Sequence, residues 1–240
     1  LNIMKQKFNP ENNLKSSIGN PLFGKKITLN GDSICYGAGY IGGYGKIIAG
    51  RNNMQYQNIG VAGATIVAET YNNDNVSDPR HWICRTIQNM DNDADYAILE
   101  GGVNDASLNI PLGAITSGYN DTLDDTTYYG AVESALKQLI VRFSGKKIGF
   151  VIVHQMTNNY RNSNDESTSY YWAIIKCCKK WGVPYCDLNI DVPPFAYFRN
   201  NAELDAIRIA YTHNGDGWHP NAQGYKKYYC DKIESWMKTL

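Results

Sequence analysis

Strand-length and helix-length stretches alternate along this chain, and that alternation limits the folds open to it more than any other feature. Strand-like runs at 25–30, 55–59, 96–100, 147–153 and 184–188 are separated by helix-like stretches at 40–50, 80–90, 128–143 and 165–181, with a last helix from 220 to about 239. Parallel strands need a crossover of a dozen or more residues, and a helix is the usual way to make one. Five strands joined in this way predict an α/β fold, with one parallel sheet covered by helices on both faces. In the last helix Tyr225, Tyr229, Ile233, Trp236 and Met237 fall on one face, which reads as a surface turned to the core. The 240 residues suffice for a single domain of this kind. Residues 1–24 are polar and turn-rich, with Pro10, Gly19, Pro21 and Gly24, and read as an arm or cover over a domain spanning 25–240.

In open α/β sheets, ligands and catalytic groups sit outside the carboxyl ends of the strands. The first strand runs into Asn30-Gly31-Asp32-Ser33, which makes Ser33, at the strand-to-helix turn, the candidate nucleophile. After the second strand comes Asn58-Ile59-Gly60-Val61-Ala62-Gly63, and after the third Gly101-Gly102-Val103-Asn104-Asp105. An oxyanion needs several preorganised donors, and the N–H of Gly63, the side-chain amide of Asn104 and the N–H of Ser33 form a suitable trio. Two insertions, 65–78 and 104–127, follow strand ends and lack strong periodicity, and loops of that length usually carry function.

Near the C-terminus the chain reads Asp216-Gly217-Trp218-His219-Pro220. Proline forces the residue before it out of the α region and is favoured as the first residue of a helix, so His219 is expected extended, just ahead of the last helix. Asp216, across a turn containing glycine, is placed to take the Nδ1 proton and leave Nε2 as a general base. That is the Asp–His half of an acyl-transfer triad. Tyr36 near Ser33, Trp218 beside His219 and His154 at the end of the fourth strand are candidate substrate contacts.

Several other chemistries are disfavoured. Lys+Arg and Asp+Glu balance at 23 each and no basic run stands out, so nucleic acid is not an expected partner. The longest apolar runs, such as 148–153, are too short to cross a bilayer, and the expectation is a soluble chain. The opening residues lack the apolar run of a secretory leader, which leaves a cytoplasmic protein or a secreted one with its leader removed. Six cysteines without a C-x-x-C spacing read as buried free thiols. Gly37, Gly39 and Gly42 match G-x-G-x-x-G, but six residues separate them from the strand and no acid ends the second strand to hold a ribose. His213, Asp216 and His219 are ligand types close in sequence, yet they lack the helical His pair common in zinc hydrolases. No cofactor and no metal are expected. G-x-S-x-G, the nucleophile motif of α/β-hydrolases, does not occur.

Taken together, Gly31-Asp32-Ser33, Gly63 after Asn58, Gly102-Val103-Asn104-Asp105 and Asp216-x-x-His219-Pro220 resemble the four blocks of the SGNH (GDSL-like) hydrolase superfamily, in order and at strand ends. The resemblance covers the chain from about residue 25 to its end. It implies a three-layer α/β/α sandwich, flavodoxin-like, with a five-stranded parallel sheet, and ester hydrolysis without a metal. It also implies Ser33 as nucleophile, His219 as base, Asp216 as its orienting partner, and Gly63 and Asn104 as oxyanion donors. Asn30 departs from the pattern, since many members carry an apolar or small residue there. The alcohol and acyl parts of the substrate are less constrained. The 18 Tyr and 5 Trp favour a short-chain or acetyl ester, possibly on carbohydrate, over a lipase or lysophospholipase substrate or a non-catalytic carbohydrate-binding relative.

Overall fold

The computed structural model, which describes residues 18–68, 78–161 and 165–240, forms its five strands where the alternation predicts them. β1 (Lys26–Asn30), β2 (Gln55–Asn58), β3 (Tyr96–Glu100), β4 (Lys147–Ile152) and β5 (Tyr185–Asp187) lie parallel in the order β2-β1-β3-β4-β5. Residues 1–17 of the expected arm and 69–77 of the first insertion lie outside the described residues. Of the rest of the arm, Leu22 is buried, while Gly24 N–H donates to Asn52 O (3.1 Å) and Asn20 Nδ2 to Asn52 Oδ1 (2.8 Å).

The helices are α1 (Ser33–Tyr36), α2 (Gly43–Arg51), α3 (Ile83–Thr86), α4 (Val103–Ser107), α5 (Tyr128–Arg142), α6 (Tyr170–Trp181), α7 (Leu188–Asp191) and α8 (Ala202–Tyr211). A C-terminal helix follows in three consecutive segments, Ala222–Gly224, a π-helical Tyr225–Cys230 and Asp231–Met237. The β1–α2–β2 unit steps one way along the sheet, and the β3–α5–β4 and β4–α6–β5 units step the other way. Right-handed crossovers then put α2 on one face and α5 and α6 on the other. The packing agrees, since α2 lies against the C-terminal helix and α5 against α3 and α6. This is a three-layer α/β/α arrangement. The strand order reverses between β1 and β3, and the crevice at their carboxyl ends is where such sheets bind ligands.

Apolar burial holds the layers together. β1 is buried from Ile27 to Asn30, with Leu29 in register with Ile98 of β3. Each aliphatic side chain buried this way stabilises the fold by about 1.5–3 kcal/mol. The C-terminal helix turns Tyr225, Tyr229, Ile233 and Met237 inward as its spacing predicts, with Trp236 only partly covered. Asn30 is buried too, its Nδ2 donating to Thr86 Oγ1 (2.9 Å), so the polar departure at this strand end has a partner.

Three expected elements differ. The stretch 80–90 is not one helix, because Trp82 is extended and bridges Thr65, with Thr65 N–H donating to His81 O and Ile83 N–H to Thr65 O. The stretch 165–181 breaks at Ser169, whose φ of −100° and ψ of 124° are extended, so that α6 starts at Tyr170. Pro220 does not begin the last helix. It pairs with Thr212 in an antiparallel bridge, and Asn221 caps the helix by accepting from Gln223 and Gly224 N–H, both at 3.0 Å. The second insertion opens with α4 and is then fixed to the α5–α6 layer by the buried Glu133. Glu133 accepts from Thr116 N–H (2.8 Å), Lys180 Nζ (2.5 Å) and Trp181 Nε1 (3.0 Å). Past α4 the loop is thus tied to this helical layer at Thr116.

Candidate active site

The nucleophile turn begins where β1 ends. A Cβ on Gly31 would lie 2.5 Å from Glu100 Oε2 and 2.6 Å from Cys35 Cβ, so only glycine lets β1 turn this close to the end of β3. Asp32 is extended and caps α1, its Oδ1 accepting from Ile34 N–H at 2.8 Å. Ser33 is the first helical residue. Its N–H is among the donors that helix geometry leaves without an intrahelical acceptor.

The loop from Thr212 to Pro220 brings the histidine. The Thr212–Pro220 bridge and the bond from His213 N–H to His219 O (2.7 Å) close it, and Gly217 N–H donates to Thr212 Oγ1 (3.0 Å). Within it Asp216 Oδ1 accepts from the N–H groups of Trp218 (2.8 Å) and His219 (3.0 Å), while Oδ2 lies 2.7 Å from His219 Nδ1. His219 Nε2 is 3.0 Å from Ser33 Oγ. Burial pushes the Asp216 carboxyl up, but the hydrogen bonds from His219 and the two backbone N–H groups outweigh it and hold Asp216 below its ordinary range. A carboxylate fixed on Nδ1 leaves Nε2 as the acceptor for the serine hydroxyl.

The donors come from β2 and β3. Asn104 Nδ2 donates one hydrogen to Ala64 O (2.8 Å), which leaves the second amide hydrogen for a ligand. Asp105 is buried and accepts from Ile66 N–H (2.9 Å) and Val67 N–H (3.1 Å), so Asn104 and Asp105 together hold the loop that carries Gly63. Gly60 spends its N–H on Asn58 Oδ1 (2.9 Å). The N–H of Gly63, at φ +80°, bonds to no described residue.

These groups border a cavity of about 360 Å³. Asp32, Ser33, His219, Asn104 and Gly63 line it with Ile34, Ala38, Ala62, Val103, Met156 and Trp218. The rest of the wall is apolar, and no lysine or arginine is among the lining residues.

The family model for GDSL-like lipases and acylhydrolases matches residues 29–227. The chain belongs to the GDSL-like lipase/acylhydrolase family. The matched span runs from the end of β1 to the C-terminal helix and takes in every site residue above. No curated protein sequence matches the chain. Among solved structures it is similar to a Lactobacillus plantarum protein, with 25% identity and a TM-score of 0.69 over 90% of this chain and 98% of that one. It shares its fold with a lipase/acylhydrolase from Enterococcus faecalis (17% identity, TM-score 0.52, 90% of this chain and 96% of that one). It shares it also with a family 3 carbohydrate esterase from Clostridium thermocellum (16% identity, TM-score 0.50, 90% and 94%).

In this member of the family the sequence-predicted residues Ser33, His219, Asp216, Gly63 and Asn104 all come to one place, and Trp218 lines the cavity beside them. Two predicted substrate contacts do not. His154 is 0% exposed, its Nδ1 bonded to Tyr229 OH, so it sits behind the site and touches no solvent. Tyr36 is 40% exposed but does not line the cavity. His213 turns its Nε2 to Asn214 Nδ2 (3.1 Å), and among the described residues no group of three or more His, Cys, Asp or Glu converges as metal ligands do. Among the described residues no helix is long and apolar enough to cross a membrane. Sequence reasoning missed Met156 as a wall and Asp105 and Glu100 as supports. Asp105 stood in the quoted Asn-Asp pair, whereas nothing local marks Glu100 as buried.

Proposed function

We propose that this family member is a serine esterase that works through an acyl-enzyme. Ser33 Oγ attacks the ester carbonyl while His219 Nε2 takes its proton, and Asp216 keeps the imidazole in the required tautomer and stabilises the imidazolium. The N–H groups of Ser33 and Gly63 and the free amide hydrogen of Asn104 receive the oxyanion. His219 then protonates the leaving alcohol, and a water activated at the same nitrogen hydrolyses the acyl-Ser33. The observation that carries this reading is the unbroken line from Asp216 Oδ2 through His219 to Ser33 Oγ, with steps of 2.7 and 3.0 Å.

For the substrate, we favour a neutral ester with a short acyl group, acetyl first, carried on a small alcohol or carbohydrate. The small apolar cavity without a lysine or arginine supports a short uncharged acyl chain, and Trp218 offers a ring on which a sugar can stack. Activity against p-nitrophenyl esters of increasing chain length, run beside acetate release from acetylated xylan, tests this. Turnover should peak at the acetyl or propionyl ester and fall towards octanoyl. A rise with chain length would assign the protein to lipase-type esters, and no turnover of any ester by folded protein would favour a non-catalytic carbohydrate binder.

A further inference from the structure

Behind Ser33 lie two acids that the hydrolytic steps do not use. Glu100, the last residue of β3, and Asp32, between β1 and the nucleophile, are both buried, and each carboxyl group acts on the ionisation of the other. Glu100 Oε2 accepts from the N–H groups of Asp32 (3.1 Å) and Cys35 (3.0 Å), one on each side of Ser33. Asp32 Oδ1 accepts from Ile34 N–H. Asp32 Oδ2 and Glu100 Oε1 find no donor among the described residues. Two carboxylates would leave both oxygens bare and set like charges together in a dry interior, whereas one proton between them satisfies both.

The surroundings supply no lysine or arginine to change that balance. The pair is faced by Cys35 from α1, Tyr44 from α2, Tyr160 ahead of α6, and Tyr225 and Tyr229 from the C-terminal helix. Burial pushes each of these groups well above its ordinary value, so all are neutral. His219 acts on Asp32 from the cavity side, and the buried Asp105 feels the charge of Asp32. Among the described residues no lysine or arginine bonds to either acid.

We infer that Glu100 is a positioning residue for Ser33: kept as the acid, it donates its proton to Asp32 Oδ2 and uses its other oxygen to hold the N–H groups that bracket the nucleophile. Burial holds Glu100 well above the ordinary carboxylate range, while Asp32 rises to about 6. Above that pH the pair carries one charge, on Asp32.

The inference rests on Ser33 as nucleophile, and its test has one arm that does not. Glu100→Gln keeps both roles, since the amide oxygen accepts the two N–H groups and the amide nitrogen donates to Asp32. Its kcat and KM should stay within about threefold of wild type, as expected when no buried hydrogen bond is left unmade. Glu100→Asp retains the acid but is one methylene short, and should lose roughly tenfold or more in kcat with KM unchanged, the mark of a displaced nucleophile. The second arm is denaturant unfolding against pH. In the unfolded chain Glu100 ionises near about 4.3, whereas the folded protein keeps it as the acid, so wild-type stability falls as pH rises toward the folded value. Above about pH 6.5, with Asp32 ionised in both proteins, the wild-type unfolding constant should rise with pH relative to Glu100→Gln, by up to about tenfold per pH unit while Glu100 stays protonated in the fold. That slope survives even if Ser33→Ala keeps activity and the nucleophile reading falls. A pH-independent difference over this range, or a Glu100→Gln kcat as low as that of Glu100→Asp, would overturn the inference and make Glu100 an ordinary ionised carboxylate.

Discussion

His219 Nε2 meets Ser33 Oγ at 3.0 Å across a sequence separation of 186 residues. The contact depends on two backbones approaching closely. A Cβ on Gly39, in the turn after the nucleophile helix, would lie 2.3 Å from Pro220 O and 3.1 Å from His213 Cβ. Glycine there lets the nucleophile turn and the histidine loop touch. The G-x-G-x-x-G string thus has a packing role beside the site.

The Asp216 side chain does two jobs, and one substitution separates them. Asparagine at 216 keeps Oδ1 for the Trp218 and His219 N–H groups, so the loop should stay folded, but it turns an NH2 toward His219 Nδ1 and favours the wrong tautomer. Asp216→Asn should therefore lower kcat by about 10⁴, as at other triad aspartates, with little change in Tm. His219→Ala should cost at least as much, and the double variant little more than His219→Ala alone, because the residues act as one unit. Additive losses in steady-state kinetics would refute that unit.

Much of this site was legible because its chemistry hangs on strand ends. Ser33, Gly63 and Asn104 follow β1, β2 and β3, each marked by a glycine-bearing turn after a strand-like run, and the Asp216–His219 spacing is local. What could not be read depends on partners distant in sequence. The break in 80–90 is imposed by Thr65 pairing with Trp82, and His154 is hidden by Tyr229 of the last helix. Glu100 is buried only because β3 packs beside β1, a pairing between residues about 70 apart. α8 was missed although Asn201 caps it by accepting from Glu203 and Leu204 N–H, a signal present in the sequence; its exposed Ile209 blurs the apolar stripe.

Asn104 should behave as a donor to the transition state. Asn104→Ala is expected to reduce kcat roughly a hundredfold to a thousandfold with KM nearly unchanged. The same substitution frees Ala64 O, so a small fall in Tm should accompany it. If KM rose while kcat held, Asn104 would be a ground-state contact and the oxyanion role would fail.

His154 should report in stability rather than in substrate binding. Burial pulls its imidazole down to about 4, against about 6.5 in the unfolded chain. The unfolded state then takes the proton first, so the stabilisation is complete above about pH 6.5 and is lost as pH falls towards 4, a change of roughly 3 kcal/mol. His154→Phe removes the titration, and its Tm should fall less than that of wild type between pH 6.5 and 4, with KM unchanged. Parallel Tm curves, or a raised KM, would restore His154 to the substrate surface.

The most direct test of the central claim is peptide mapping by mass spectrometry after treatment with a serine-reactive fluorophosphonate. One adduct is expected, on the peptide carrying Ser33, formed in step with loss of esterase activity and strongly slowed in His219→Ala, since the attacking oxygen depends on that base. An adduct on another residue, or a Ser33→Ala protein that keeps more than a few per cent of wild-type kcat, would contradict it.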